Sequence, residues 1–239
     1  MERINLSKVI YNKMIDDDYF MLKTDTKVDK VYPGQFFMLR AWDLYPTLSR
    51  PISIYDVCED GLVFLIESRG IGSKLLKNLK EGDEIKVFGP YGNHFEYENI
   101  REISLVAGGV GSAPFYYLSK CLKKANPDVK IDLYMGLREN QKLEKCFEDL
   151  GVNLIVKKGG FITDYVDFDK KLIYTCGPDI MMYKLKDLAE KNACKIYLSL
   201  DKRMGCGLGA CLSCTCKTVN GNSRTCKDGP IYKGSDILE

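Results

Sequence analysis

Histidine is almost missing from this sequence: His94 is the only one among 239 residues. A Ser-His-Asp or Cys-His hydrolase needs a histidine at its centre. His94 sits in a Gly92-Asn93-His94-Phe95 turn with no nucleophile beside it, so it reads as a loop residue and hydrolysis of that kind is excluded. An excess of one charge is missing too. Thirty-five Lys and Arg against 33 Asp and Glu leave a net charge of +2, too little to hold a nucleic acid or another polyanion. The pairs Lys123-Lys124 and Lys157-Lys158 read as solvated surface. No apolar run approaches the ~18 residues that a membrane-crossing helix needs. Residues Met1 to Leu6 lack the apolar core of a secretion signal, so a reducing, cytoplasmic setting is expected. There is no internal repeat and no low-complexity stretch.

Cysteine, in contrast, is plentiful and unevenly placed. Five of the ten cysteines fall between Cys206 and Cys226. Cys206, Cys211, Cys214 and Cys226 form the pattern C-x4-C-x2-C-x11-C. Buried structural thiols gain nothing from such crowding, whereas a polynuclear metal centre requires thiolates to converge. The x4, x2 start is the plant-type spacing of a 2Fe–2S cluster. Gly207 and Gly209 suit a loop that turns its N–H groups inward. A structural zinc ribbon is the alternative, but it usually pairs C-x2-C with C-x2-C. A disulfide framework would need an oxidising compartment. Cys216 is ambiguous: it could stand in for Cys214, although the x2 step favours Cys214.

At 239 residues the chain is one large domain or two moderate ones. Residues 1–98 read as β-structure. Lys8–Tyr11, Tyr19–Leu22, Gln35–Leu39, Ile52–Tyr55 and Leu62–Ile66 are short β-branched or aromatic runs separated by turn residues, which predicts a small barrel or sandwich. One helix, Ile71 to Leu79, interrupts them. From residue 99 strands and helices alternate as in a parallel α/β sheet. Strands are expected at 102–107, 131–135, 152–156, 171–174 and 195–200, and helices at 112–124, 141–150 and 178–192. The cysteine-rich tail, 201–239, forms a third unit.

Four motifs precede the cysteines. Arg50-Pro51-Ile52-Ser53-Ile54-Tyr55 alternates along a strand. Its arginine can neutralise a phosphate, its serine can bond a heterocycle and its tyrosine can stack on one; an ordinary strand is the plainer reading. Gly70-Ile71-Gly72-Ser73 opens a helix with Ser73 near the N-cap, where free N–H groups attract an anion, or where a turn simply ends. Gly108-Gly109-Val110-Gly111-Ser112-Ala113-Pro114 joins the first strand and helix of the α/β region, where a nucleotide loop belongs, although it is not G-x-G-x-x-G. Cys176-Gly177-Pro178 ends another strand; read alone, Cys176 is a buried structural thiol.

In this order and spacing the motifs resemble the ferredoxin–NADP reductase superfamily. End to end the chain is similar to the electron-transfer subunits of class 1B dihydroorotate dehydrogenases, most specifically over Arg203–Cys214 and Cys226–Tyr232. The resemblance implies a Greek-key antiparallel β-barrel that binds FAD, a parallel-sheet α/β domain for NAD and a C-terminal 2Fe–2S module. Arg50, Pro51, Ile52 and Ser53 would lie at the flavin, and Gly70, Gly72 and Ser73 at its pyrophosphate. Gly108, Gly109, Gly111 and Ala113 would face the nucleotide. Cys176, Gly177 and Pro178 would lie near flavin and nicotinamide. Cys206, Cys211, Cys214 and Cys226 would bind the cluster, and no residue is assigned as catalytic.

The implied activity passes electrons from an FMN-containing dihydroorotate dehydrogenase catalytic subunit, through the cluster and FAD, to NAD. The expected assembly is a heterotetramer of two plus two, and the chain would not oxidise dihydroorotate alone. Subunits of sulfhydrogenases, anaerobic sulfite reductases and NADH–ferredoxin:NADP oxidoreductases share these modules and stand as the alternative. A non-enzymatic zinc-ribbon scaffold stands further off.

Two departures from the family pattern stand out. A Thr-Asp-Asp-Gly-Ser-like loop is deleted before Gly160-Phe161-Ile162-Thr163-Asp164. His94 occupies a position that is glycine in the family's Gly-Pro-Leu-Gly-Asn-Gly-Phe turn, which would bring it toward the flavin region. NAD or NADP is left open: Arg138 suits a 2′-phosphate, and Glu139 beside it repels one.

Overall fold

The computed structural model describes residues 4–238. The first half is an antiparallel sheet of β1 (Ile4–Met14), β2 (Tyr19–Thr24), β3 (Phe36–Arg40), β4 (Arg50–Ser53), β5 (Asp56–Cys58), β6 (Gly61–Glu67) and β7 (Glu84–Tyr91), with helix α1 (Ile71–Lys77). The strand order β4-β3-β7-β1-β2-β6-β5 curls so that consecutive strands β4 and β5 lie at opposite ends. The N–H of Tyr55, just beyond β4, then reaches the carbonyl of Val63 on β6 at 3.0 Å.

β6 shows why this sheet reads as unbroken apolar runs. Leu62, Phe64 and Ile66 point into the barrel core with Phe20, Leu22 and Phe37. Val63 and Leu65 point the other way, into a second core shared with the α/β half. Alternation therefore persists, but both faces are dry.

The second half is a six-stranded sheet. β8 (Glu102–Gly108), helix α2 (Ala113–Ala125), β9 (Lys130–Leu137), β10 (Asn153–Lys158), β11 (Leu172–Cys176), helix α3 (Asp179–Lys191) and β12 (Lys195–Ser199) follow in the chain. The order β10-β9-β8-β11-β12 is parallel throughout. After β12 the chain loops out through the cysteines and a hairpin, β13 (Thr215–Thr218) and β14 (Gly221–Arg224). It then returns as β15 (Ile231–Lys233), antiparallel to β12 on the sheet edge. No helix among the described residues is long and apolar enough to cross a membrane.

The halves share an extensive seam. Tyr55 stacks on Tyr116 of α2 at 4.2 Å and donates to the carbonyl of Cys146 at 2.5 Å. Lys120 of α2 pairs with Asp56 at 2.7 Å. Such a buried aromatic pair adds about 1 kcal/mol beyond its area.

Several expectations are corrected. The helix expected over 141–150 is a 3-10 segment, Leu143–Leu150, ended by Gly151 at φ +59. Its apolar residues Leu143, Phe147 and Leu150 keep one face buried while the tighter 3-10 turns carry the chain to the left-handed Gly151. Strands β5 and β7 were not expected. β4 ends at Ser53, and the Tyr55 ring is stacked on Tyr116, in line with the plainer reading of that residue.

Candidate functional site

The thiol loop is the most complete feature. The four thiols fall into two pairs, Cys206 with Cys211 and Cys214 with Cys226, each joined by the N–H of the second cysteine pointing at the sulfur of the first. Backbone N–H groups point at these sulfurs: Leu208 to Cys206 at 3.3 Å, Cys211 to Cys206 at 3.5 Å, Gly209 to Cys226 at 3.1 Å and Cys226 to Cys214 at 3.4 Å. Gly207 makes the wrap possible. It holds φ at +74, and a Cβ there would stand 3.0 Å from Cγ of Met38 on β3. Phe36, Met38 and Met204 shelter Cys214 and Cys226 from the other side.

The electrostatics divide the four sulfurs. The Ser213 hydroxyl, followed by backbone N–H groups, holds the Cys211 thiol down at about 6. Burial opposes ionisation of Cys206, but hydrogen bonds from Cys211, Leu208 and Ala210 outweigh it and its pKa falls. Burial, helped by the Cys214 thiol, pushes Cys226 up to about 12. A cation bound there would displace the remaining protons.

Among the described residues no three His, Cys, Asp or Glu side chains converge on one ion. Two thiol pairs with inward N–H donors fit a two-iron object. Cys216 stands apart. It is buried among Ile196, Leu198 and Ile237 and contacts the Tyr232 hydroxyl, so Cys214 is the residue placed with Cys226.

The barrel motifs meet each other. Arg50 on β4 lies over Gly72 of α1: a Cβ on Gly72 would stand 2.7 Å from the guanidinium carbon. The Arg50 guanidinium also faces the Trp42 ring at 5.5 Å and donates to the Leu48 carbonyl. Pro51, Ile52 and Ser53 continue β4 half-buried, paired with β3. Ser73 lies near the N-cap as expected, and its hydroxyl caps the helix start from inside the first turn. It is the third helical residue after Gly70, and its hydroxyl accepts from the N–H groups of Arg69 at 3.0 Å and Gly70 at 3.1 Å. Its oxygen is therefore engaged within the turn. A ligand would meet first-turn N–H groups instead, beside Gly70, whose Cα faces open space.

The nucleotide motifs also meet. β8 and β11 are adjacent and parallel, with Ala107 opposite Cys176. Their carboxyl ends place Gly108-Gly109-Val110-Gly111 against Cys176-Gly177-Pro178. A Cβ on Gly111 would stand 2.6 Å from the Cys176 carbonyl carbon, and one on Gly177 would stand 2.8 Å from the Gly108 nitrogen. Between β8 and β11 the chain reverses its direction of strand addition, since β9 and β10 lie on one side and β11 and β12 on the other. Ligands of open α/β sheets bind at such a point. Ala113 is 2% exposed and belongs to the core, so it offers a ligand no side chain. Burial pushes the Cys176 thiol up to about 12.

After β10 the chain turns through Gly159 and Gly160, with φ at +64 and +75. The Glu139 carboxylate lies against Gly159. His94 stacks on Tyr32 at 4.4 Å, with Nδ1 3.1 Å from the Phe95 carbonyl.

Curled barrel, switch-point crevice and sheltered thiol loop together define a ferredoxin-reductase-like protein with an iron–sulfur module. Solved structures agree. The NADH-dependent reduced ferredoxin-NADP oxidoreductase, studied for flavin-based electron bifurcation, superposes with a TM-score of 0.88 at 27% identity over 98% of this chain and 90% of that one. A ferredoxin reductase in carbazole 1,9a-dioxygenase shares the fold, with a TM-score of 0.67 at 21% identity over 81% of this chain and 67% of that one.

Residues 201–238 match the iron-sulfur cluster binding domain of dihydroorotate dehydrogenase B. The electron transfer subunit of dihydroorotate dehydrogenase B (NAD(+)) from Clostridium acetobutylicum is 40% identical over 99% of this chain and 98% of its own. That from Clostridium perfringens is 34% identical over 99% and 95%. The chain belongs to the family of dihydroorotate dehydrogenase B (NAD(+)) electron transfer subunits.

Proposed function

We propose that the chain carries electrons between a catalytic dihydroorotate dehydrogenase subunit and NAD, using FAD and a 2Fe–2S cluster as resident cofactors. Residues 1–98 are assigned to FAD, 99–200 to NAD and 201–239 to the cluster. The observation that carries this reading is the pairing of Cys206 with Cys211 and Cys214 with Cys226 through N–H donors to sulfur, sheltered by the same strand, β3, that pairs with the Arg50–Ser53 strand. When bound, the cluster handles single electrons, the nicotinamide takes a hydride, and the flavin converts between the two.

The chain's own residues position and insulate. Cys206, Cys211, Cys214 and Cys226 would hold the cluster, and the N–H donors of Leu208, Gly209, Cys211 and Cys226 would offset its negative charge. Arg50, with Pro51, Ile52 and Ser53, would lie along the flavin, and Gly70 and Gly72 would present N–H groups to its pyrophosphate. Gly108, Gly109 and Gly111 would let a dinucleotide approach the backbone, with Gly177 and Pro178 opposite. Glu139 suits a ribose hydroxyl and repels a 2′-phosphate, which favours NAD. The FMN-bearing partner would supply dihydroorotate oxidation, in an assembly of two plus two.

The test is an absorption spectrum of anaerobically purified protein before and after NADH. Flavin bands with a broad iron–sulfur shoulder, bleached by NADH, are expected. A colourless, zinc-containing protein would sink the proposal. A second reading rests on the 0.88 superposition with an NADH-dependent ferredoxin oxidoreductase. A firm complex with a hydrogenase or sulfite reductase subunit, and none with an FMN dihydroorotate oxidase, would favour it.

A further inference from the structure

Tyr19 stands on β2 at the seam between the halves, directly across from Glu67 on β6. The residue is 1% exposed, and its oxygen accepts a 2.8 Å hydrogen bond from Nε2 of Gln141, itself 2% exposed. On the barrel side, the Glu67 carboxylate pairs with Nε of Arg69 at 2.8 Å. The Arg69 N–H then donates to the Ser73 hydroxyl inside the Gly70–Ser73 turn.

On the α/β side, Gln141 closes the turn that leaves β9. Its Oε1 accepts from the Arg138 N–H at 2.9 Å, and its own N–H donates to the Arg138 carbonyl at 3.1 Å. That fixes Arg138 and Glu139 at the carboxyl end of the strand. The Tyr19 oxygen also lies beside the glycine loop, since a Cβ on Gly109 would stand 3.4 Å from it. One hydroxyl thus adjoins the nucleotide loop, the turn after β9 and the residue that anchors the flavin turn. The same core holds Val63, Leu65 and Phe115, where a phenylalanine ring would pack equally well.

We propose that Tyr19 is a positioning residue: through Gln141 on one side and Glu67 on the other it holds the nucleotide crevice and the flavin turn at a fixed separation. It touches no reacting atom. The inference rests on the flavin and nucleotide reading above. In the reaction concerned, NADH gives up a hydride and becomes NAD+, and the flavin gains both electrons. A misplacement of ~1 Å slows such a transfer on the order of a hundredfold, so the separation matters more to rate than to affinity.

Stopped-flow bleaching of the full chain, anaerobic and with NADH as the only reductant, tests this. Wild-type protein must retain flavin and bleach; if it does not, the functional reading fails and this inference falls with it. Given that, Tyr19→Phe and Gln141→Met should each keep their flavin. Each should lower the limiting bleaching rate about tenfold or more, with the half-saturating NADH concentration changed less than about twofold. The double variant should lose less than the product of the two singles, because both remove the Tyr19–Gln141 bond, while Gln141→Met also removes the bond to the Arg138 N–H. Unchanged limiting rates overturn the proposal. So does a loss confined to NADH affinity, and so do losses that multiply in the double variant. If one variant fails to fold, the other single variant decides by the same split.

Discussion

Gly111 rests its bare Cα on the peptide of Cys176, so the loop after β8 and the end of β11 touch backbone to backbone. The contact sits at the strand-order reversal, where a bound dinucleotide would straddle both loops. A Cβ at Gly111 meets backbone, which cannot swing aside as a side chain can. Gly111→Ala should therefore cost about 2–3 kcal/mol, as overpacking does. For a chain of this size that lowers the melting temperature by about 4–12 °C. A melting curve checks the cost, and loss of NADH-driven bleaching checks the site.

Gly72 and Arg50 give the matching case in the barrel. Gly72→Ala would drive a methyl into the guanidinium that lies over it. We expect flavin content to fall at least about tenfold at fixed protein concentration, with little loss of fold, since the arginine is flexible and partly exposed. Arg50→Ala should lose flavin to a similar degree. Flavin released per mole of protein is the measurement, and full occupancy in both variants would remove Arg50 from the site.

Cys214 and Cys216, two residues apart, should behave oppositely. Cys214→Ser removes a thiol from the paired set, and iron and sulfide content should collapse. Cys216→Ser changes a residue buried in an apolar cluster with Ile237. It should keep iron and lose only about 1–2 kcal/mol of stability. Iron analysis together with the visible spectrum separates the two.

The Cys176 thiol, held up at about 12 by burial, should stay protonated far above neutrality. At pH 8 its thiolate fraction is about one in ten thousand, against about a quarter for an ordinary cysteine. Iodoacetamide at pH 8 should therefore leave Cys176 unmodified in native protein and modify it once urea opens the fold. Peptide mass spectrometry reads the result. Rapid native labelling would mean that the thiol is accessible.

Local chemistry was legible in the sequence wherever it repeats at short range. Strands around Phe20, Phe37 and Phe64 announce themselves by composition, and the thiol spacing by arithmetic. β7 escaped notice because Lys86, Gly89 and Pro90 read as turn residues, and β5 because Asp56–Cys58 is only three residues long. Ser73 near the helix start was legible, because a serine there satisfies the free N–H of Gly70 over a span of three residues. Long-range partners leave no trace of that kind. The Tyr19–Gln141 bond spans 122 positions, and nothing near either residue marks it. The fate of Tyr55 likewise depended on Tyr116, which lies in the other half of the molecule. Spacing favoured Cys214 over Cys216, and the direction of β13 agrees by turning Cys216 into the apolar side.

The return of β15 to the edge of β12 gives the thiol loop a mechanical character. The chain departs at Ser199 and reattaches through Ile231, with the Leu200 N–H bonded to the Pro230 carbonyl at 2.9 Å. Both ends of the excursion are stitched to one strand, and iron would tie its middle through four sulfurs. Loading the metal would then act as a cross-link on the whole sheet edge, so iron-free protein should exchange the amides of β12 and β15 sooner than those of β8 and β9.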